Sequence, residues 1–118
     1  MQVEDLTGDG LVRTMATLAS PHRLHIIAAL TKGRNYVSQL ARDLGISRPL
    51  LQVHLRRLEA VGLVSSTLEL SEDGKAMKFY EVNPFELRLT PTTIAVLAST
   101  LGDDQADADD AKGEATDG

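Results

Sequence analysis

Residues 40–64 constrain the fold more than any other part of the chain, because they place a glycine-centred turn between two helical patterns. The first pattern covers 37–44, where apolar residues recur at the spacing of one helix face. Gly45 suits the left-handed position after a helix, and Ser47 can cap a second helix over 48–61. The segment therefore predicts a helix-turn-helix motif.

The second helix of this motif has two chemically different sides. At about 100° per residue, its aliphatic side carries Leu51, Leu55 and Leu58. The opposite side carries Pro49, Val53, Arg56 and Ala60, and beside it lie Arg48, Gln52 and Arg57. We expect the aliphatic side to lie in the core and the arginine-bearing side to be open.

A β-hairpin pattern follows the motif directly. Residues 64–70 and 76–82 have the composition of strands, and the Asp73-Gly74 pair between them is a hairpin signal. Alternation predicts that Lys78 and Tyr80 share a face with Ala76 and Val82, and that Met77 and Phe79 lie on the other face.

Three further helical patterns complete the chain. They cover 11–19, 22–32 and 92–101, and a Ser-Pro or Thr-Pro start signal precedes the last two. The expected apolar side of 22–32 is Leu24, Ile27, Ala28 and Leu30, and Asn35 is expected to cap the helix that follows. The order predicts a mainly α fold with a β-hairpin, a winged helix-turn-helix of order α-α-α-α-β-β-α.

Charge is distributed unevenly, which matters more than the formal net charge of −5. An acidic N-terminal segment covers 1–10, and a second acidic segment covers 102–118. The domain between them, 11–101, holds eleven Lys and Arg against seven Asp and Glu, so it is basic. We expect the acidic tail to be disordered, either as a solubilising segment or as a competitor for the basic face of the domain.

Several function classes find no support in the residues. The chain has no cysteine, which excludes disulfides and thiolate metal sites and favours a reducing cytoplasm, in association with the nucleoid. No apolar run approaches the roughly 18 residues of a membrane span, and the acidic start does not resemble an export signal. No phosphate loop or nucleophile with a base is evident, so we expect neither an enzyme nor a bound cofactor.

The chain resembles the ArsR-type winged-helix regulators over about residues 11–83. The pieces that carry the resemblance are LASPHRL at 18–24, QLA at 39–41, LGIS at 44–47, His54-Leu55 with Leu58, GLV at 62–64, and Tyr80. The resemblance implies a homodimeric repressor whose two recognition helices read an imperfect palindrome in double-stranded DNA. It also implies that the first and last helices build the dimer interface, with Leu11, Met15, Leu18, Ile94, Leu97, Ala98 and Leu101.

Packing of the last helix back onto its own domain is the alternative for that apolar stripe. The chain also departs from the metal-sensing members, which carry paired cysteines in the first helix of the motif or Asp and His ligands on the last helix. Residues 37–42 hold no thiolate and 92–101 hold no Asp, Glu or His, so no metal site is carried over. The effector stays unknown.

Candidate DNA-binding residues follow from the chemistry of base edges and phosphates. Arg48, Gln52 and Arg56 suit base reading, because Arg pairs with guanine and Gln with adenine in bidentate fashion. Val53 can meet a thymine methyl group, and Ser47 and Arg57 suit phosphate contacts. Gln52 and Val53 stand where many ArsR-type members have Ser and Arg, which indicates a different operator.

The wing is expected to contribute weakly. Its cations are Lys75 and Lys78, and nearby acids at Glu69, Glu72 and Asp73 make the tip poor at holding phosphate. A winged helix can also dock a protein, so an interaction module for an acidic partner is the competing hypothesis. A positive band interrupted by Glu59, Glu69 and Glu72 would favour that alternative.

The three histidines are interpreted as structural or surface residues. His22 and His25 are three residues apart on one helix, a spacing that permits a shared metal, but no third ligand is evident nearby. His54 lies at the edge of the apolar side of the second motif helix, so we expect it to form a hydrogen bond within the fold.

Overall fold

The computed structural model describes residues 6–102, in which the chain forms five helices and a three-stranded antiparallel sheet. The elements are α1 (Gly8–Leu18), α2 (Pro21–Leu30), β1 (Asn35–Tyr36), α3 (Val37–Leu44), α4 (Arg48–Ala60), β2 (Val64–Leu70), β3 (Ala76–Val82) and α5 (Pro91–Ala98). None of these helices is long and apolar enough to cross a membrane. The predicted tail lies outside the described residues except for Gly102, as does the first half of the N-terminal segment.

The described residues divide into two units. The larger unit, Met15–Phe85, contains the helix-turn-helix and the sheet. The smaller unit combines residues 6–14 with residues 86–102. The helix-turn-helix and the hairpin therefore lie within the larger unit, and the last helical pattern, 92–101, lies in the smaller one.

The helix-turn-helix forms where the sequence predicts it. Gly45 ends α3 in the left-handed conformation with φ of 69°, which a side chain would disfavour. Ser47 caps α4, because its Oγ accepts the backbone N–H of Leu50 at 3.2 Å. The helix ends at Ala60, one residue before the predicted end. The start of α3 differs from the prediction, since Tyr36 takes the cap position without a side-chain bond.

Asn35 is not a helix cap because it belongs to a strand. It pairs with Tyr80 in β1, and its side-chain amide donates to Asp43 at 3.3 Å. The sheet therefore has the order β1-β3-β2 and exceeds the predicted hairpin by one short strand. Two residues carry no strand periodicity of their own, so the open edge of β3 supplies the pairing.

The core of the larger unit is aliphatic. Its fully buried side chains are Ile26, Leu40, Leu51, Leu55, Leu58, Leu63 and Val64. The prediction for α2 is partly wrong, because Leu24 is 54% exposed and Ala28 is exposed, whereas Ile26 and Leu30 are buried. The short helix offers several apolar residues around its circumference, so periodicity alone does not identify the buried side.

The smaller unit depends on a close approach of the chain at Gly8. The Gly8 N–H donates to the Thr100 hydroxyl at 2.6 Å, and a Cβ at this position would lie 2.3 Å from the Leu97 carbonyl oxygen. Leu11 and Leu97 are each 6% exposed and form a small cluster with Leu6 and Leu87 beside them. The last helix is shorter than predicted and ends at Ala98.

Candidate nucleic-acid interface

The outward side of α4 is open to solvent in the chain. Its buried side carries Leu51, Leu55 and Leu58, each at 0% exposure, which anchors the helix in the core. The residues on the other side are all exposed: Arg48, Pro49, Gln52, Val53, Arg56, Arg57 and Ala60. We call Arg48, Gln52, Val53, Arg56 and Arg57 the recognition face. No described residue of the larger unit buries it.

A groove joins this face to the wing and to the start of α3. It has a volume of about 410 Å³ and is lined by Tyr36, Val37, Ser38, Arg48, Gln52, Arg56, Ala76, Met77, Lys78 and Tyr80. Four of the predicted site residues, Arg48, Gln52, Arg56 and Lys78, therefore share one surface. They come from α4 and β3, which are distant in sequence.

The other four predicted DNA-binding residues lie outside the groove lining. Ser47 is exposed, but its Oγ is already used as the cap of α4. Val53 is 37% exposed, and Arg57 is exposed near the end of the helix. Lys75 lies at the wing tip, where its backbone N–H donates to Ser71 Oγ at 3.1 Å and leaves the side chain exposed.

The groove cations are not neutralised by nearby acids. In the described part of the chain, neither Arg48, Arg56 nor Lys78 forms an ion pair with a carboxylate. Lys78 instead places its Nζ 5.5 Å from the centre of the Tyr80 ring, a favourable cation–π geometry. These cations remain available to an anionic ligand.

The wing acids are turned to other partners. Arg34 contacts the Glu69 carboxylate with both of its terminal nitrogens. Its Cζ lies over the Phe79 ring, 4.3 Å from the ring centre. The hydrogen bond from Arg34 lowers the pKa of Glu69, so the carboxylate stays charged and paired. Asp73 also has a lowered pKa, chiefly because the Ser71 hydroxyl donates to it.

Strand alternation separates Glu69 from the wing lysine. Glu69 pairs with Met77, whereas Lys78 pairs with Leu68, so the two charges project from opposite faces of the hairpin. On α4, Glu59 accepts a hydrogen bond from the Ser66 hydroxyl at 2.9 Å. Two of the three acids expected to interrupt a positive band are thus engaged elsewhere.

His54 forms the hydrogen bond that the sequence predicts. It is 9% exposed, and its Nδ1 accepts from Arg23 Nε at 3.1 Å. Arg23 also donates to the Thr17 carbonyl at 3.1 Å, which ties the end of α1 to α4 through one side chain. Burial and the neighbouring Arg23 charge lower the pKa of His54, so the ring is neutral near pH 7.

His22 and His25 are both exposed on α2. The His22 ring centre lies 5.2 Å from that of His54. Within residues 6–102, no three His, Cys, Asp or Glu side chains are arranged to hold a metal ion.

The predicted dimer residues divide into buried and exposed groups. Leu11 and Leu97 are buried within the smaller unit, and Leu18 is half-buried. The exposed members are Met15, Ile94, Ala98 and Leu101. Val96, which the sequence analysis did not select, is 61% exposed on α5. Whether these residues meet a second subunit stays a prediction.

Sequence reasoning missed several residues at this surface. Tyr36 and Ser38 line the groove, although nothing in their local pattern indicates that β3 and α4 lie opposite them. Leu68 and Leu70 are exposed on the wing, where alternation alone favours an apolar face turned inwards. How far the helices cover a strand depends on tertiary packing, which the alternation of the strand does not indicate.

A family model described as bacterial regulatory protein, arsR family, matches residues 20–66, from the start of α2 into β2. Among curated proteins, an HTH-type transcriptional regulator of Methanocaldococcus jannaschii is 36% identical over 76 residues, which are 64% of this chain and 79% of the relative. The HTH-type transcriptional regulator CmtR of Mycobacterium tuberculosis is 38% identical over 65 residues. That match spans 55% of each protein, so the chain covers just over half of CmtR.

Solved structures share the fold at low sequence identity. A homodimeric winged helix-turn-helix DNA-binding domain of Mycobacterium bovis aligns with a TM-score of 0.56 and 22% identity, over 90% of this chain and 84% of that chain. The transcriptional regulator HlyU of Vibrio vulnificus aligns with a TM-score of 0.53 and 22% identity, over 75% of this chain and 81% of that chain. These likenesses establish a winged helix-turn-helix fold.

Proposed function

The chain belongs to the ArsR family of bacterial regulatory proteins, which are DNA-binding transcription regulators rather than enzymes, and on this basis we propose that it is a repressor. It binds a palindromic operator as a homodimer and blocks polymerase by occupying a promoter. It does so without the metal ligands of the metal-sensing members. The observation that supports this most directly is the open groove that unites Arg48, Gln52 and Arg56 with Lys78.

Each residue at the surface has a proposed role. Arg48, Gln52 and Arg56 read base edges in the major groove, since their planar donors and acceptors allow bidentate pairing. Val53 packs on a thymine methyl group. Ser47, Arg57, Lys75 and Lys78 hold phosphates, which positions the protein on the duplex without reading sequence.

Dimerisation is proposed from apolar side chains that the chain leaves exposed. Met15, Ile94 and Leu101 are 44%, 46% and 41% exposed. Exposed large apolar side chains favour association with another apolar surface. A two-fold dimer presents two recognition helices and therefore requires a palindrome whose half-sites are spaced by about one turn of DNA.

The competing function, docking of an acidic protein, is less well supported. It requires a positive patch interrupted by acids, but Glu69 is paired with Arg34 and Glu59 is bonded to Ser66. Glu72 remains exposed at the wing tip and does not line the groove. The charge pattern therefore suits a continuous anionic ligand such as a duplex.

A selection experiment with the full chain tests the proposal. The purified protein is incubated with a library of random duplexes of about 30 base pairs, long enough for two half-sites, and bound sequences are enriched over several rounds. We expect a palindromic consensus, two protomers per duplex, affinity that falls steeply with added salt, and binding unchanged by a metal chelator. Enrichment of no sequence, or binding of one protomer per duplex, would contradict it. In the native cell, the same sequence should crosslink to the protein at promoters.

A further inference from the structure

Two leucines on the wing are the most exposed large apolar side chains in the described part of the chain. Leu68 is 70% exposed and Leu70 is 74% exposed, both on β2. They are two residues apart in one strand, so they project from the same face. Isolated surface leucines are common and need no explanation. A neighbouring pair on a hairpin forms an apolar patch, and such patches mark interaction surfaces.

This patch continues a face that is otherwise part of the core. We call it the tyrosine face: Val64, Ser66, Leu68 and Leu70 of β2 with Ala76, Lys78, Tyr80 and Val82 of β3. At the base of the hairpin, Val64 is 1% and Tyr80 is 4% exposed. Towards the tip the helices no longer cover the face, and Leu68 and Leu70 lie opposite Lys78 and Ala76.

The tyrosine face is also continuous with the proposed DNA interface. Ala76 and Lys78, the cross-strand partners of the two leucines, line the groove that contains Arg48 and Arg56. The leucine patch therefore extends the interface from the recognition face along the wing. A ligand that fills the groove and continues beyond it meets the leucines next.

The charges of the hairpin are sorted between its two faces. The tyrosine face carries Lys78 and no carboxylate, whereas Glu69 and Glu81 lie on the opposite face with Phe79. Arg34 further holds Glu69 on that opposite face. The tyrosine face can therefore bind an anionic partner, which would contact both Lys78 and the apolar surface of Leu68 and Leu70.

We propose that Leu68 and Leu70 pack against the deoxyribose rings of the duplex, beside the major groove that α4 enters. Deoxyribose carbons are the apolar surface that the duplex offers between its phosphates, and packing the two leucines against them removes apolar area from water. Lys75 and Lys78 hold the adjoining phosphates. The inference rests on the proposed function, because it needs a duplex seated on the recognition face.

The wing leucines and the wing lysines should differ in their dependence on salt. A lysine that neutralises a phosphate releases a counterion, which steepens the fall of log affinity with log salt by about 0.9 per phosphate. Leucines release none. The double variant L68T/L70T should weaken binding by about tenfold and leave the salt slope unchanged, because only apolar burial is removed. The variant K75A/K78A should make the slope shallower by up to about 2.

The experiment uses the full chain and the duplex enriched by the wild-type protein, with affinity measured over a salt series. Threonine preserves strand propensity, and the replaced side chains are exposed, so the variant should unfold at the wild-type temperature. If the double variant does not fold, L70T alone serves the same purpose. Hydroxyl-radical footprinting should show loss of deoxyribose protection beside the recognised bases.

A composition-matched control exchanges two neighbours on the wing. The variant T67L/L68T keeps the number of leucines but moves one to the face with Glu69, so it should lose affinity as L68T does. Wild-type affinity and footprint in L68T/L70T would overturn the wing contact while leaving the proposed function intact. A change in oligomeric state would assign the leucines to a second copy and overturn it as well. If the wild-type chain enriches no duplex, both proposals fail.

Discussion

Helices α4 and α5 differ in how many of their apolar side chains are buried. In α4, Leu51, Leu55 and Leu58 are fully buried, and the exposed side is polar and basic. In α5 only Leu97 is buried, while Ile94 and Val96 are 46% and 61% exposed. A helix that is apolar around its circumference is stable when other surfaces cover it. The comparison shows that α4 buries its apolar side within one chain, whereas α5 leaves apolar side chains exposed, as the proposed dimer requires.

The largest effect on stability should come from truncating a buried side chain of α4. Leu55→Ala removes a side chain with 0% exposure and leaves a cavity, so it should lower the free energy of unfolding by about 2–5 kcal/mol. The matched variant Leu50→Ala, on the same helix and 40% exposed, should cost far less. Urea denaturation measures both. Equal losses would show that α4 is not anchored as described.

Disrupting α5 should separate assembly from folding. Ile94→Glu places a charge on an exposed apolar surface, which a folded monomer tolerates and an apolar dimer interface does not. We expect a monomer by light scattering and operator affinity lower by about a hundredfold or more, since two linked half-site contacts become one. Lys32→Glu, an exposed change in the turn after α2, should remain dimeric. A dimeric Ile94→Glu protein would remove α5 from the interface.

The exposed side of α4 should affect binding with little change in stability. Arg56→Ala should weaken operator binding by about ten- to a hundredfold, because a bidentate base contact is worth about 1–3 kcal/mol. Lys75→Ala should have a smaller effect, since a single lysine at the wing tip offers only a phosphate contact. Competition assays with matched and mismatched duplexes measure both variants. An equal loss for Lys75→Ala would reverse this ranking.

The smallest effect concerns pH and again distinguishes the two helices, since α5 has no titratable side chain and α4 is held through His54. The folded-state pKa of His54 lies below the ordinary value of 6.5, because burial and the charges of Arg23, His22 and Arg57 disfavour its cation. As the pH falls, His54 is therefore protonated in the unfolded chain at a higher pH than in the folded chain. Stability should fall as the pH is lowered through 6.5 and recover as it is raised.

Replacement of the ring tests this assignment. His54→Gln should show a shallower loss of stability between neutral and mildly acidic pH, measured by denaturant unfolding at each pH. His25→Gln, an exposed change on α2, should retain the wild-type profile. A profile unchanged in His54→Gln would mean that other groups cause the acid sensitivity.

Much of the larger unit could be predicted from local patterns. The ranges of α3, β2 and β3 agree with the sequence predictions, and Leu51, Leu55 and Leu58 are buried as expected. Capping, glycine turns and residue periodicity act over a few neighbours, which is why they can be read directly. The prediction is partly wrong at α2, where most positions are apolar and distant packing partners determine which side is buried.

The amino-acid sequence alone determined the order of elements, the turn at Gly45, the cap at Ser47 and the two-sided character of α4. It did so because each of these follows from interactions within a few residues. The strand pairing of Asn35, the turning of Glu69 towards Arg34 and the exposure of Leu68 and Leu70 depend on residues that are far apart in the chain. Long-range packing decides how far a core extends and which charges meet. For that reason the groove shared by α4 and the wing is a property of the folded molecule.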